Sequence, residues 1–171
     1  MSAIEERLAQ AGLTLPEPAA PVASYVPARE AGGLLYVSGQ LPIVAGKIVT
    51  GRLGKDRDVE EGVAAARACG LMLLAQARAA VGLARVAGCV QLGGFVACTK
   101  SFRDQPKVVN GASDLMELAL GEAGRHSRFA VGAPSLPLGA CVEVSAVFSL
   151  QQPGDLASGV VGGSAVSDEL R

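Results

Sequence analysis

Two residues near the end of the chain carry the charges best suited to chemistry: Arg128, in the run SRFAVGA, and Glu143, in the run CVEVSAVFSL. A guanidinium offers a planar fork of N–H groups that grips a carboxylate with two hydrogen bonds. A carboxylate nearby can orient a water molecule or move a proton. Both runs alternate with period two, as strands do. In the first, Phe129 and Val131 share one face, and Arg128, Ala130 and Gly132 share the other. In the second, Val142, Val144, Ala146 and Phe148 form a wholly apolar face, opposite Cys141, Glu143, Ser145 and Val147. The apolar faces are the natural seats for helices, so Arg128 and Glu143 are both predicted to point away from them. Ala130, Gly132, Cys141 and Val147 make that second face too apolar to leave in water. Closed cyclic assembly is the usual way to cover such a face. An arginine and a glutamate buried there are costly unless paired or engaged by a ligand. On the residues alone two readings stay open: an inter-strand ion pair that only fixes register, and a ligand site.

Other reactive side chains fit quieter roles. His126 is the only histidine and follows a predicted helix end, where its charge suits the helix dipole. Ser38 and Ser135 lie outside any GxSxG pattern, and one histidine does not obviously serve both. Lys100 reads as a solvated surface lysine rather than a Schiff-base former. Gly93–Gly94 lacks the spacing of a dinucleotide fingerprint. Cys69, Cys89, Cys98 and Cys141 show no CxxC spacing, so a metal site is not expected, and reduced, buried thiols are.

The formal net charge is −1, and lysines and arginines are scattered singly. That gives no basis for a nucleic-acid or anionic-membrane partner. No run approaches the ~20 apolar residues of a membrane span. The first residues, MSAIEERLAQAGL, carry acids early and read as no secretory signal. A cytoplasmic location is therefore expected.

These residues must be positioned by the elements around them. Residues 2–12 read as a short helix capped by Ser2 and ended by Gly12, followed by the extended linker PEPAAP at 16–21. Strand-like runs follow at 22–29 and 34–40, with Pro27 confining the first to an edge, and Gly46 followed by KIVT suggests a third. Asp58 and Glu61 form a capping-box pattern opening an alanine- and leucine-rich helix to about Ala80. A strand at 88–99 has a weak spot at Gly93–Gly94. A second helix capped by Asp104, with Pro106 in its first turn, ends near Gly124. Strands around 127–133 and 140–150 close the domain. This order predicts an α+β fold, a mixed sheet with two helices on one face. The last residues, 153–171, are glycine- and serine-rich and read as a flexible tail or an arm.

Three stretches, LLYVSGQLPI at 34–43, VVN at 108–110, and the run from Arg128 through LPLGACVEV, resemble the RidA/YjgF family. There an arginine in the penultimate strand is followed nine residues later by a proline after leucine, as Pro137 and Leu136 follow Arg128 here. A glutamate in the last strand matches Glu143, an upstream tyrosine matches Tyr25, a serine–glycine pair matches Ser38 and Gly39, and an asparagine on the second helix matches Asn110. The resemblance divides the chain into an N-terminal helix and linker (1–21), a RidA/YjgF-like domain (22–150) and a C-terminal tail (151–171). It implies a chorismate-mutase-like fold assembled as a homotrimer, with clefts between subunits and no cofactor. It implies hydrolysis of reactive 2-imino or enamino acids to 2-oxo acids and ammonia, of the 2-iminobutanoate/2-iminopropanoate deaminase type. Arg128 and Glu143 would be catalytic, with Tyr25, Ser38, Gly39, Asn110, Arg128 and Ala130 binding a small carboxylate-bearing substrate. Ala130 stands where well-studied members often carry cysteine, and Phe129 replaces a small polar residue. The alternative is a trimeric carboxylate-binding or regulatory protein without turnover.

Overall fold

The computed structural model describes residues 1–18 and 24–151. The predicted tail and part of the predicted linker therefore lie outside the described residues. The helix α1 spans Ala3–Gln10, capped by Ser2 in a reciprocal capping box with Glu5. Its Ile4 and Leu8 are buried, and it packs on a later helix, where Arg7 Nη1 donates to Ala119 O.

Strand β1 is Ala28–Ala31 and β2 is Leu34–Gln40. Of the predicted first strand at 22–29, residues 22–23 lie outside the described residues, and the strand observed begins immediately after Pro27. Proline has no N–H to give a ladder, but its carbonyl still accepts from Ser38 N at 2.9 Å. The third predicted strand is half of a small hairpin, β3 (Ile43–Val44) with β4 (Lys47–Ile48). Its two turn residues, Ala45 and Gly46, both have positive φ, as a tight hairpin turn requires.

Helix α2 runs Val59–Val81 from the Asp58–Glu61 capping box. Strand β5 is Val86–Ala97, helix α3 is Gln105–Leu120, β6 is Ser127–Ala133 and β7 is Val142–Leu150. Asp104 opens α3 without a side-chain cap, since its carboxylate is held by Lys107 Nζ at 2.9 Å. The five-stranded sheet has the order β1-β2-β7-β5-β6, antiparallel except for the parallel pair β5–β6. Helices α2 and α3 pack together and cover one face, α2 on β2 and β7, α3 on β5 and β6. The α+β architecture with two sheet-packed helices is as predicted. Among the described residues no helix is long and apolar enough to cross a membrane.

Gly93–Gly94 is not a weak spot. A side chain at Gly94 would collide with Val109 of α3, and one at Gly93 with the Phe129 ring on the opposite face. The glycines admit close neighbours on both sides of a continuous strand.

Strand β6 faces the other way from the prediction. Phe129 and Val131 lie on the open face, each about two-fifths exposed, and Phe129 meets Phe95 edge-on with ring centroids 5.5 Å apart. Arg128, Ala130 and Gly132 face α3. Period two says which residues share a face but not which face is inward. Ala130 packs against the core beneath α3, and Gly132 lies beside Gln105 at the start of that helix. Of the residues expected to make the open face apolar, Ala130 and Gly132 lie on the helix side and Cys141 is fully buried. The open face is apolar all the same, through Tyr36, Phe95, Phe129 and Val131.

All four cysteines are free and buried. Burial pushes the Cys69 thiol well up and that of Cys89 to about 12. Since the thiolate is the reactive form, the native protein is expected to leave these thiols unlabelled by a disulfide reagent at neutral pH. Denaturant should release all four; rapid labelling of Cys69 or Cys89 in the native state would contradict this packing.

Candidate functional site

The candidate residues fall into two clusters on opposite sides of the sheet. The first is built around Arg128 on the edge strand β6. Its Nη1 donates to Asn110 Oδ1 at 2.8 Å and to Ser113 Oγ at 3.0 Å, and its Nη2 donates to the Pro106 carbonyl at 3.2 Å. All three acceptors belong to α3. Asn110 and Ser113 are one turn apart, so both oxygens project from one helix face toward the strand. All three are neutral, and no carboxylate bonds this guanidinium among the described residues. A guanidinium carries five N–H groups. The three bonds use both protons of Nη1 and one of Nη2, leaving Nε and Nη2 with one uncommitted proton each. A carboxylate needs two donors on adjacent nitrogens. A recess of about 480 Å³ opens here, lined by Ser113, Glu117, Arg125, His126 and Arg128.

Behind Arg128 runs a chain of hydrogen bonds. His126 Nδ1 lies 2.5 Å from the Gly124 carbonyl, and Nε2 lies 2.9 Å from Ser113 Oγ. A carbonyl only accepts, so Nδ1 carries the proton donated to it. Ser113 Oγ accepts from Arg128 and is also hydrogen-bonded to Nε2. His126 is therefore a support for Ser113, and through it for Arg128, beyond the helix-end role read from the sequence. Ser113 and the Pro106 carbonyl were not foreseen. The three-residue spacing from Asn110 was the available signal for Ser113.

The second cluster lies on β2 and β7. Glu143 is on the open face, paired in register with Phe95, and half-buried. Its carboxylate lies directly against Gly39, where any side chain would fall on it. No side-chain hydrogen bond or ion pair holds that carboxylate among the described residues, and burial raises its pKa above the usual 4.5. Ser38 Oγ donates to the Val26 carbonyl at 2.8 Å and ties down the segment that carries Tyr25, itself exposed. The β2–β7 ladder shifts register between Val37 and Gln40, so Ser38 and Gly39 bulge from it. Buried Gln40 braces the bulge by donating Nε2 to the Ser38 and Gly39 carbonyls, and Gln76 of α2 donates to Gln40 Oε1 at 3.3 Å.

The raised pKa has a sign for stability. The fold favours the neutral form of Glu143, so its contribution is fully present at low pH and is lost as pH rises through the raised value. Glu143→Gln removes that loss. Thermal unfolding at neutral pH is expected at or slightly above the wild-type temperature, with a shallower fall from acid to neutral pH. A clear drop in stability at neutral pH would show that the ionised carboxylate is held by the fold.

Within one chain, Arg128, Asn110 and Ala130 come together, with Ala130 following Arg128 on the same face. Ser38, Gly39 and Glu143 form the other group, to which the segment carrying Tyr25 is tied through the Ser38–Val26 bond. The two groups do not meet. Arg128 faces α3 and Glu143 the open side, with β5 between their strands. The expectation that both point away from the helices therefore fails for Arg128, because β6 is turned over relative to the prediction.

A family model described as "YjgF/chorismate mutase-like, putative endoribonuclease" matches residues 5–150. Protein TCP17 of Trypanosoma cruzi is 47% identical over 150 residues, covering 86% of this chain and 94% of that protein. The crystal structure of Atu1372 from Agrobacterium tumefaciens, described as of unknown function, is similar with 47% identity and a TM-score of 0.81 over 87% of this chain and 93% of that one. A structure from Shewanella oneidensis, carrying the same endoribonuclease description, is 41% identical with a TM-score of 0.83 over 86% of this chain and 99% of that one.

Proposed function

The chain belongs to the YjgF/chorismate mutase-like family, and from that premise we propose that it hydrolyses small 2-imino or enamino acids to 2-oxo acids and ammonia, in clefts between the subunits of a homotrimer. The observation that carries this reading is the state of Arg128. It is oriented by three neutral oxygens, bonded to no carboxylate, and left with uncommitted protons on Nε and Nη2. Such a guanidinium is prepared for a bidentate carboxylate. Held there, the imine carbon lies one bond from the anchored group, open to attack by water.

The reaction balances with water alone. Water oxygen adds to the imine carbon as the nitrogen takes one of its protons, the nitrogen then takes the second from the new hydroxyl, the C–N bond breaks as C=O forms, and ammonia leaves a 2-oxo acid. Glu143 suits the proton traffic, because a carboxylate with a raised pKa gives and returns protons more readily near neutral pH. Tyr25, Ser38 and Gly39 would wall the cleft beside it, and Asn110 and Ala130 would flank the arginine. Since the two groups lie on opposite faces of one sheet, the cleft needs Arg128 from one copy and Glu143 from another. The apolar open face gives copies a reason to associate.

A carboxylate sensor without turnover would use the same arginine. Ala130 favours that reading, since no thiol or hydroxyl stands beside Arg128 on its strand face. The endoribonuclease description in the family finds less support, because a net charge of −1 with scattered cations provides no basic track for RNA. The deciding experiment couples freshly generated 2-iminobutanoate to detection of 2-oxobutanoate. Production above the spontaneous rate supports the enzyme. Saturable carboxylate binding without it supports the sensor.

A further inference from the structure

A second recess of about 480 Å³ lies at the carboxyl ends of β5 and β6, and no residue assigned above to the cleft lines it. It is enclosed by the loop before α2, the connection from β5 to α3, and the end of β6. Its lining holds three cations, Arg52, Lys100 and Arg103, and no acid. Arg52 Nη2 donates to the Cys98 carbonyl at 2.9 Å, yet its Nε is the one buried side-chain nitrogen or oxygen without a partner among the described residues. Arg103 Nη1 donates to the carbonyls of Lys100, at 2.6 Å, and Phe102, at 2.9 Å. Those acceptors are neutral and leave its charge unbalanced. Two acids in this part of the chain are otherwise engaged: Asp56 accepts from the Arg52 backbone, and Asp104 pairs with Lys107.

Shape adds to charge. A side chain at Gly132 would come within 2.8 Å of Cys98 Sγ and 3.1 Å of Gln105 Nε2, so the glycine keeps this space clear. Phe102, Ala133 and Pro134 supply an apolar wall.

A buried guanidinium N–H without a partner costs free energy that an anion recovers. Three cations around one recess exceed what a single carboxylate balances, and match the nearly two charges and three acceptor oxygens of a phosphate monoester. The volume is that of a small-molecule site and leaves room beyond the phosphate itself.

We propose that this recess is a second anion site, which binds the phosphate group of a small phosphate monoester with its organic part against Phe102 and Pro134. The site stands apart from the cleft and does not depend on the imine reading. Three cations confined to one recess hold one phosphate rather than a strand of them.

Isothermal titration of the full chain with inorganic phosphate and with phenyl phosphate tests it. Both are expected to bind once per chain, phenyl phosphate more tightly. The double variant K100A/R103A should weaken both by about tenfold or more. K100R/R103K should keep most of the affinity, which separates loss of charge from loss of fold. Arg128→Ala should leave this binding unchanged, whatever it does to imine hydrolysis. The proposal is overturned if neither probe binds, if K100A/R103A binds as the wild type does, or if Arg128→Ala abolishes binding. Displacement of phenyl phosphate by a short single-stranded RNA at far lower concentration would also overturn it, by marking the recess as part of an RNA track.

Discussion

Arg128→Ala is expected to lower kcat/KM for 2-iminobutanoate hydrolysis by about a hundredfold or more, because losing a bidentate, charge-assisted anchor misplaces the reacting carbon against its water. The variant should remain folded. Arg128 is only half-buried, and its three acceptors lie at a recess where water can replace the guanidinium. Arg128→Lys keeps the charge but offers no planar fork, and should recover only a small part of the loss. Ser113→Ala should do less harm, because Asn110 and the Pro106 carbonyl still hold the guanidinium. Its effect belongs in KM more than in kcat, as expected when anchoring of the bound carboxylate is loosened rather than the chemistry. Undiminished hydrolysis by Arg128→Ala would end the case for a carboxylate grip at this position.

The second large effect is complementation between two inactive proteins. Arg128→Ala and Glu143→Gln are each expected to be nearly inactive alone. Denatured together in equal amounts and refolded, they should recover about a quarter of wild-type activity, since random assembly in a closed ring puts an intact arginine beside an intact glutamate at about that share of boundaries. The argument rests on the faces of one sheet. Arg128 is bonded to α3 on the helix side, while Glu143 lies over Gly39 on the open side. No side-chain movement within one chain takes either through the strand between them. If the mixture stays inactive while assembling normally, the two residues do not share a cleft. A chain that remains monomeric would remove the cleft altogether.

The elements were largely legible in the sequence. Helix α2 announces itself through the Asp58–Glu61 capping box and its alanine-rich body, and β7 through strict alternation from Val142 to Phe148. Local signals suffice there because caps and periodicity are decided by neighbours within a turn or two. The same holds for Asn110 and Arg128, whose residue types carried the resemblance and whose side chains meet in the fold. The start of β1, the strand β3 and the orientation of β6 were not legible. β1 and β3 are short pieces of local hairpins that leave little alternation to read, whereas the orientation of β6 depends on α3 and β5.

The parts were legible in the chain itself: an α+β order, two sheet-packed helices, buried thiols and an arginine of a type suited to an anion. The tertiary structure then set how these parts face one another. It turned Arg128 toward α3, enlisted Ser113 and the Pro106 carbonyl to orient it, set Glu143 on the far side of the sheet, and gathered Arg52, Lys100 and Arg103 around one recess. The reason is physical. Alternation fixes which side chains travel together, but the inward face is chosen by fit against a helix distant in the chain, and at β6 Ala130 and Arg128 meet α3 while Phe129 and Val131 are left on the open face.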